Sequence, residues 1–166
     1  MRVYVPATIA MLEGLQADGE MGAVNGTAFA VTPALREAYA VGDDEELSYS
    51  AMAEAARASL RLMAGTLDEA GVRARRALVS ADVEGARLRP DLDDAVVRLS
   101  APLQLSDVAS VHVDLAEAED AVRAAVAVVD KADLGDHDAE FVLGEVADHE
   151  LAWYAVQELP FLLELL

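Results

Sequence analysis

RRALVSADV, at residues 75–83, is the first of three strand-like segments in the middle of the chain, and AVVRLSA (95–101) and ASVHVD (109–114) follow it. Each combines β-branched or aliphatic residues with glycine, proline or aspartate nearby, a pattern typical of β-strands. Because the three follow one another in a row along the chain, we expect them to pair in a locally antiparallel arrangement. This region therefore predicts a β-sheet at the centre of the fold.

A strand-to-helix unit opens the chain. RVYVPA (2–7) is a β-branched and aromatic run, and Thr8 can cap a helix that ends at Gly19. AFAV (28–31) predicts a further short strand. Thr32 followed by proline at the first helical position then predicts a brief helix over PALREAYA (33–40).

Two longer helices are predicted on either side of the three strands. The acids of GDDEEL (42–47) are typical of a helix N-terminus, where Asp43 or Asp44 can cap, and this helix is expected to end near Gly71. Asp114 is expected to cap a second helix, AEAEDAVRAAVAVVDK (116–131), whose alanine and valine residues repeat at helical spacing.

The C-terminal third is harder to assign. EFVLGEVA (140–147) fits a strand or a helix equally well. Asp148 is a good cap for a final helix over HELAWYAVQEL (149–159), which Pro160 should kink or restart. We therefore predict one α/β or α+β domain spanning residues 1–166, with a mixed sheet of four or five strands packed against several helices.

Composition excludes several classes of protein. The chain has 166 residues, 54% of them hydrophobic, which is enough for one folded core. It has no cysteine, so disulfides and thiolate chemistry are excluded. No stretch is long and apolar enough for a membrane span, and MRVYVPAT has no signal-peptide pattern, so a cytoplasmic protein without a predicted cofactor is expected.

The formal charge is −19, and it is unevenly distributed. Residues 1–83 carry 12 acids and 7 bases, whereas residues 84–166 carry 19 acids and 5 bases. Because phosphate backbones are bound by clustered basic side chains, direct nucleic-acid binding is not expected. The charge instead predicts a basic protein partner, with a second copy of the chain as the alternative.

His137, Glu145 and His149 are candidate metal ligands, since imidazole and carboxylate groups bind zinc, iron or manganese. However, only Glu145 and His149 are four residues apart, the spacing that places ligands on one helix face. Acids around the two histidines also suit a solvated loop and a helix start. That interpretation is favoured over a metal site.

A second candidate site would form at the ends of strands. If the first strand, LVSAD and VHVD run parallel, Thr8, Asp82 and Asp114 gather at one sheet edge, with His112 one position inward. The alternative is that Thr8 and Asp114 only cap helices and that Asp82 lies in a turn. No phosphate-binding loop and no GxSxG motif occurs, so no catalytic residue is predicted.

The C-terminus is rich in aromatic and aliphatic residues. Trp153, Tyr154, Phe161 and Leu162 are candidates for a protein interface or a homodimer contact, because aromatic residues are enriched at interface centres. The alternative is that this tail closes the core.

Three blocks also resemble a known family. RVYVPAT (2–8), AFAVTPALREAYAVGDDEELSYSAMAEAARASLRL (28–62) and DHELAWYAVQELPFLLEL (148–165) are similar to small uncharacterised actinobacterial proteins described only as a domain of unknown function. The resemblance spans nearly the whole chain. It implies an actinobacterial, cytoplasmic protein and assigns no activity.

These observations favour a non-enzymatic, acidic interaction or regulatory module. A metal-dependent enzyme or small-ligand binder that uses His112, His137, His149 and nearby carboxylates is the alternative. A nucleic-acid mimic that inhibits a DNA- or RNA-binding protein is a further alternative, based on the acidic second half.

Overall fold

The structure is a computed structural model that describes residues 1–39 and 41–166. Over these residues the chain forms six α-helices and nine β-strands. The helices are α1 (Ile9–Asp18), α2 (Pro33–Ala38), α3 (Asp44–Met63), α4 (Glu119–Asp133), α5 (His137–Ala147) and α6 (Leu159–Leu165). The strands are β1 (Arg2–Ala7), β2 (Glu20–Met21), β3 (Thr27–Phe29), β4 (Ala77–Asp82), β5 (Arg87–Leu88), β6 (Val96–Arg98), β7 (Leu103–Gln104), β8 (Val108–Val113) and β9 (Ala152–Ala155).

Seven strands form the main sheet, in the order β5-β6-β3-β1-β4-β8-β9, and β2 and β7 form a separate two-stranded ribbon. Every pair in both sheets is antiparallel. The predicted combination of strands and helices is confirmed, but a mixed sheet of four or five strands is wrong. The short strands escaped prediction because two or three residues are too few to show alternation.

The two faces of the main sheet are covered by different helices. Val5, Val79 and Val111 point to one face, where they pack with α1 and α6. Tyr4 and Leu78 point to the other face and pack beneath α2 and α3. A third cluster joins the end of α3 to α4 and α5, so these two helices form a hairpin that packs on α3.

The predicted helix starts in the first half are confirmed. Thr8 accepts a hydrogen bond from the Met11 amide and caps α1, and Thr32 does the same for α2. Asp43 caps α3. That helix ends at Met63, earlier than expected, because Gly65 turns the chain with a φ of +85°. Residue 40, the last of the predicted helix over PALREAYA, lies outside the described residues.

Two predictions for the second half are wrong. Asp148 ends α5 instead of starting a helix, and residues 152–155 form β9, which pairs with β8. Pairing across the sheet overrides the local helix signal there. Asp114 does not cap α4, which begins at Glu119 after a 3₁₀ turn. The ambiguous segment EFVLGEVA lies within α5, which Asp136 caps.

Ser59, on α3, ties this helix to the two central strands. Its side chain is fully buried and donates a hydrogen bond of 2.7 Å to the Ala7 carbonyl at the end of β1. The Ala77 amide, at the start of β4, donates to the same hydroxyl over 3.1 Å. One hydroxyl thus satisfies a backbone acceptor and a backbone donor that both lie in the interior.

No helix in the described ranges is long and apolar enough to cross a membrane.

Replacement of Ser59 by alanine should lower the free energy of unfolding by about 1–3 kcal/mol, because a buried amide loses its acceptor. Urea denaturation measures the change. Ser48→Ala, on the same helix at a half-exposed position, is the control and should stay within about 0.5 kcal/mol of the original chain. Equal effects of the two substitutions would contradict this role for Ser59.

Candidate functional site

A buried ion pair joins the ends of two neighbouring strands. Arg76 precedes β4 and Asp114 follows β8, and their side chains are 4% and 1% exposed. Because Ala77 pairs with Val113, the antiparallel register places the two residues opposite each other. The Asp114 amide donates to the Arg76 carbonyl over 3.0 Å, which continues the strand ladder by one step.

The side chains of this pair meet in a two-point contact. Nε and Nη2 of Arg76 donate to Oδ2 and Oδ1 of Asp114, each over 2.8 Å. The Arg76 amide also donates to Oδ2 over 2.8 Å. Nη2 reaches further and donates to the His149 carbonyl over 2.7 Å. The pair therefore fixes the segment that follows α5 against the sheet.

This arrangement forms one wall of a cleft of about 330 Å³, which we call the histidine cleft. The cleft lies between α3, the β4–β8 part of the sheet and residues 147–151, and that volume falls within the range of small-ligand sites. Eleven residues line it: Tyr49, Met52, Ala53, Ala56, Arg76, Leu78, His112, Ala147, His149, Glu150 and Leu151.

His112 lies on the sheet floor of the cleft. Its Nε2 is 3.3 Å from the hydroxyl of Ser110, two residues earlier on β8. Burial lowers the pKa of His112 below its ordinary value of 6.5, because the charged imidazolium would lose its hydration. Trp153 pairs with His112 across β8 and β9, so its exposed ring lies on the same face of the sheet as His112.

The structure brings together two of the three histidines and leaves the third apart. His112 and His149 both line the cleft. His137 is the first residue of α5 and His149 lies beyond its end, a separation of roughly 18 Å at the helical rise. Across residues 1–39 and 41–166, no three His, Asp or Glu side chains are grouped so as to hold a metal ion.

The proposed strand-edge site is divided between the two ends of the sheet. β1 and β4 are antiparallel and pair Arg2 with Asp82, so Asp82 lies at the opposite end of β4 from Thr8 and Asp114. Its carboxylate is 62% exposed and binds Arg2 over 2.8 Å. Thr8 caps α1, and Asp114 binds Arg76. Because β4 is antiparallel to both β1 and β8, the parallel arrangement on which this hypothesis depended is wrong.

The four predicted interface residues do not form one surface. Leu162 is buried, and Tyr154 packs against the same core cluster. Trp153 points to the other face of the sheet, because neighbouring residues in a strand alternate. Phe161 is exposed on α6, beneath the face that carries Tyr154. Trp153 and Phe161 therefore lie on opposite sides of the sheet.

A surface that we did not predict lies on the α4–α5 hairpin, residues 115–150. This segment has eleven acidic and two basic residues, a net charge of −9. Phe141 is 70% exposed on the outer side of α5, while Ala139, Leu143 and Val146 point inward. The spacing of these three inward residues is helical and would have identified Phe141 as outward-facing, had the segment been assigned to a helix.

An ion-pair network holds the hairpin to α3. Asp133, at the end of α4, accepts hydrogen bonds from Arg61 and Arg57, over 2.7 and 2.9 Å. Arg57 also donates to Glu140 on α5 over 2.9 Å. Hydrogen bonds from Arg61 and Arg57 lower the pKa of Asp133, and Arg57 lowers that of Glu140, so both carboxylates remain charged near neutral pH.

Replacement of Asp114 by asparagine should destabilise the protein by about 3–5 kcal/mol, because it leaves the buried Arg76 guanidinium without a counter-charge. Asp82→Asn is the matched control, since it removes an exposed aspartate that also binds an arginine, and it should cost at most about 1 kcal/mol. Denaturant unfolding measures both. A loss for Asp114→Asn no larger than that for the control would show that the pair contributes little.

The pKa shift of His112 predicts a pH dependence. Below pH 6.5 the unfolded chain takes up a proton that the folded chain excludes, so the free energy of unfolding should fall as the pH decreases. His112→Gln should remove this part of the slope between about pH 7 and 5, whereas His137→Gln, at an exposed position, should retain it. Urea titrations at several pH values test the difference, and an unchanged slope in His112→Gln would contradict it.

Comparison with known proteins assigns the chain to a family. A family model described as a family of unknown function, DUF6912, matches residues 1–163. No curated protein and no solved structure matches the chain. The resemblance to a family of unknown function is thereby confirmed. The protein belongs to DUF6912.

Proposed function

We propose that this protein is a non-enzymatic, acidic interaction module of the cytoplasm that binds a basic partner protein through its α4–α5 hairpin. The observation that carries the proposal is the outer side of α5, where an exposed phenylalanine lies between Asp138 and Glu145, two carboxylates that form no salt bridge with the described residues. Such a combination of an apolar centre and a charged rim is typical of protein interfaces.

Arg57, Arg61 and Arg75, which lie outside the hairpin, neutralise only three of its nine excess negative charges. Of the chain's twelve basic side chains, seven form salt bridges within the described residues. The hairpin itself contains only Arg123 and Lys131 as basic residues. A partner with a basic surface would therefore be attracted at long range and would associate faster at low salt.

Phe141 is the expected anchor of this surface. Asp138 and Glu145 lie three residues before it and four after it, so all three share the outer face of α5. An aromatic side chain that is exposed in the free protein can be buried by a partner, while the flanking carboxylates select basic side chains around it. Burial of a phenylalanine of this size contributes about 1.5–3 kcal/mol.

A basic partner is favoured over a second copy of the chain. Two copies that met through the hairpin would bring two negatively charged surfaces together, which is electrostatically unfavourable. Self-association through the C-terminal aromatic residues is not supported either, since Trp153 and Phe161 lie on opposite sides of the sheet.

Phe141→Ala should weaken binding to the partner by about 2 kcal/mol or more, as expected for an interface anchor. Phe161→Ala is the matched control, because Phe161 is 67% exposed but lies outside the hairpin. Both variants and the original chain are used as bait in extract of the native host, expected to be an actinobacterium. Calorimetry with the purified partner at low and high salt then gives the affinities.

The supporting result is a basic protein that the original chain and Phe161→Ala retain and that Phe141→Ala loses, with weaker binding at high salt. Equal retention by both variants, a partner that is not basic, or a stable homodimer in sedimentation experiments would each contradict the proposal.

A further inference from the structure

We propose that the histidine cleft is a binding site for a small organic ammonium ion. The cleft is distinct from the outer side of α5, because neither Phe141 nor Asp138 lines it, although Ala147, His149 and Glu150 at the end of the hairpin do. Its existence therefore does not depend on the proposed function.

The lining combines apolar side chains with one tyrosine ring. Met52, Leu78 and Leu151 provide the apolar surface on which methyl or methylene groups can pack. Tyr49 lines the cleft and is 63% exposed on α3, and Trp153 is largely exposed on β9, where it pairs with the lining residue His112. The face of an aromatic ring attracts an organic cation, and tryptophan and tyrosine do so most strongly.

The electrostatics of the cleft favour a cation over an anion. Glu150 lines the cleft, and it is exposed and forms no salt bridge among the described residues. Arg76 is the one arginine or lysine among the described lining residues, and Asp114 neutralises it in a two-point contact. An anion would therefore meet the Glu150 carboxylate, whereas a cation would find a carboxylate of opposite charge.

The histidine on the floor is compatible with a cationic ligand. Burial keeps the pKa of His112 below its ordinary value, so the imidazole is uncharged at neutral pH and does not repel a cation. Its Nε2 contacts Ser110, and its Nδ1 forms no hydrogen bond within residues 1–39 and 41–166.

Choline and its uncharged isostere 3,3-dimethyl-1-butanol test the proposal on the full chain. Choline should produce saturable chemical-shift changes in NMR titrations at neutral pH, with a dissociation constant on the order of 1 mM. The alcohol has the same shape and no charge, and it should bind at least about fivefold more weakly because it lacks the cation–π contribution. The changes should centre on Tyr49, His112 and Trp153.

Two pairs of variants separate the aromatic and charge contributions. Tyr49→Leu and Glu150→Gln should each weaken choline binding by roughly fivefold. Glu145→Gln removes an equivalent charge from the outer side of α5 and should leave the affinity unchanged, and Phe161→Leu is the corresponding control for the aromatic change. All four positions are exposed, so the fold should be retained.

No saturable response to choline would overturn the proposal, and so would equal binding of choline and the alcohol. Equal affinity of the Glu145→Gln and Glu150→Gln variants would overturn the part assigned to Glu150. Because the hairpin test uses a protein partner and a different set of variants, failure of either hypothesis can be recognised without the other.

Discussion

The buried pair of Arg76 and Asp114 is the interaction on which the second half of the structure depends. Removal of two charges from water costs several kcal/mol per ion, and only excellent geometry offsets that cost. Here the two-point contact is supplemented by the Arg76 amide and the His149 carbonyl. The pair also favours one register of β4 against β8, because a slip by one residue would separate the charges and turn Arg76 toward the other face.

Through the His149 carbonyl, the same guanidinium connects the sheet to the end of α5. The chain needs that connection because β9 must return to the sheet edge directly after α5, within residues 148–151. One side of the hairpin is therefore held at its end by Arg76 and along its length by Arg57 and Arg61. On the opposite side, Asp138 and Glu145 form no salt bridge within the part of the chain that the structure describes, so the fold presents negative charge on a surface that is fixed in position.

Local signals in the sequence predicted the helix starts of the first half correctly. Thr8, Thr32 and Asp43 cap helices as expected because capping depends only on neighbours three residues away. Asp114 has the same local pattern, yet its carboxylate is used by Arg76, which is 38 residues distant along the chain. Residues 152–155 likewise form a strand because β8 offers an unpaired edge. Strand register and long-range pairing decide these two cases, and neither is encoded in a short window of sequence.

The candidate sites also combine features that local sequence predicts with features that depend on long-range contacts. The acidity of the second half was evident from composition, but its concentration around an exposed Phe141 required the direction of α5 to be known. His112 and His149 are 37 positions apart along the chain. Both line the cleft because Arg76 joins the end of the sheet to the segment after α5. The cleft is thus a product of the buried ion pair: a chain in which Arg76 released the His149 carbonyl would lose the wall that carries Glu150. For this reason, the same hydrogen bonds of Arg76 both stabilise the fold and shape the cleft.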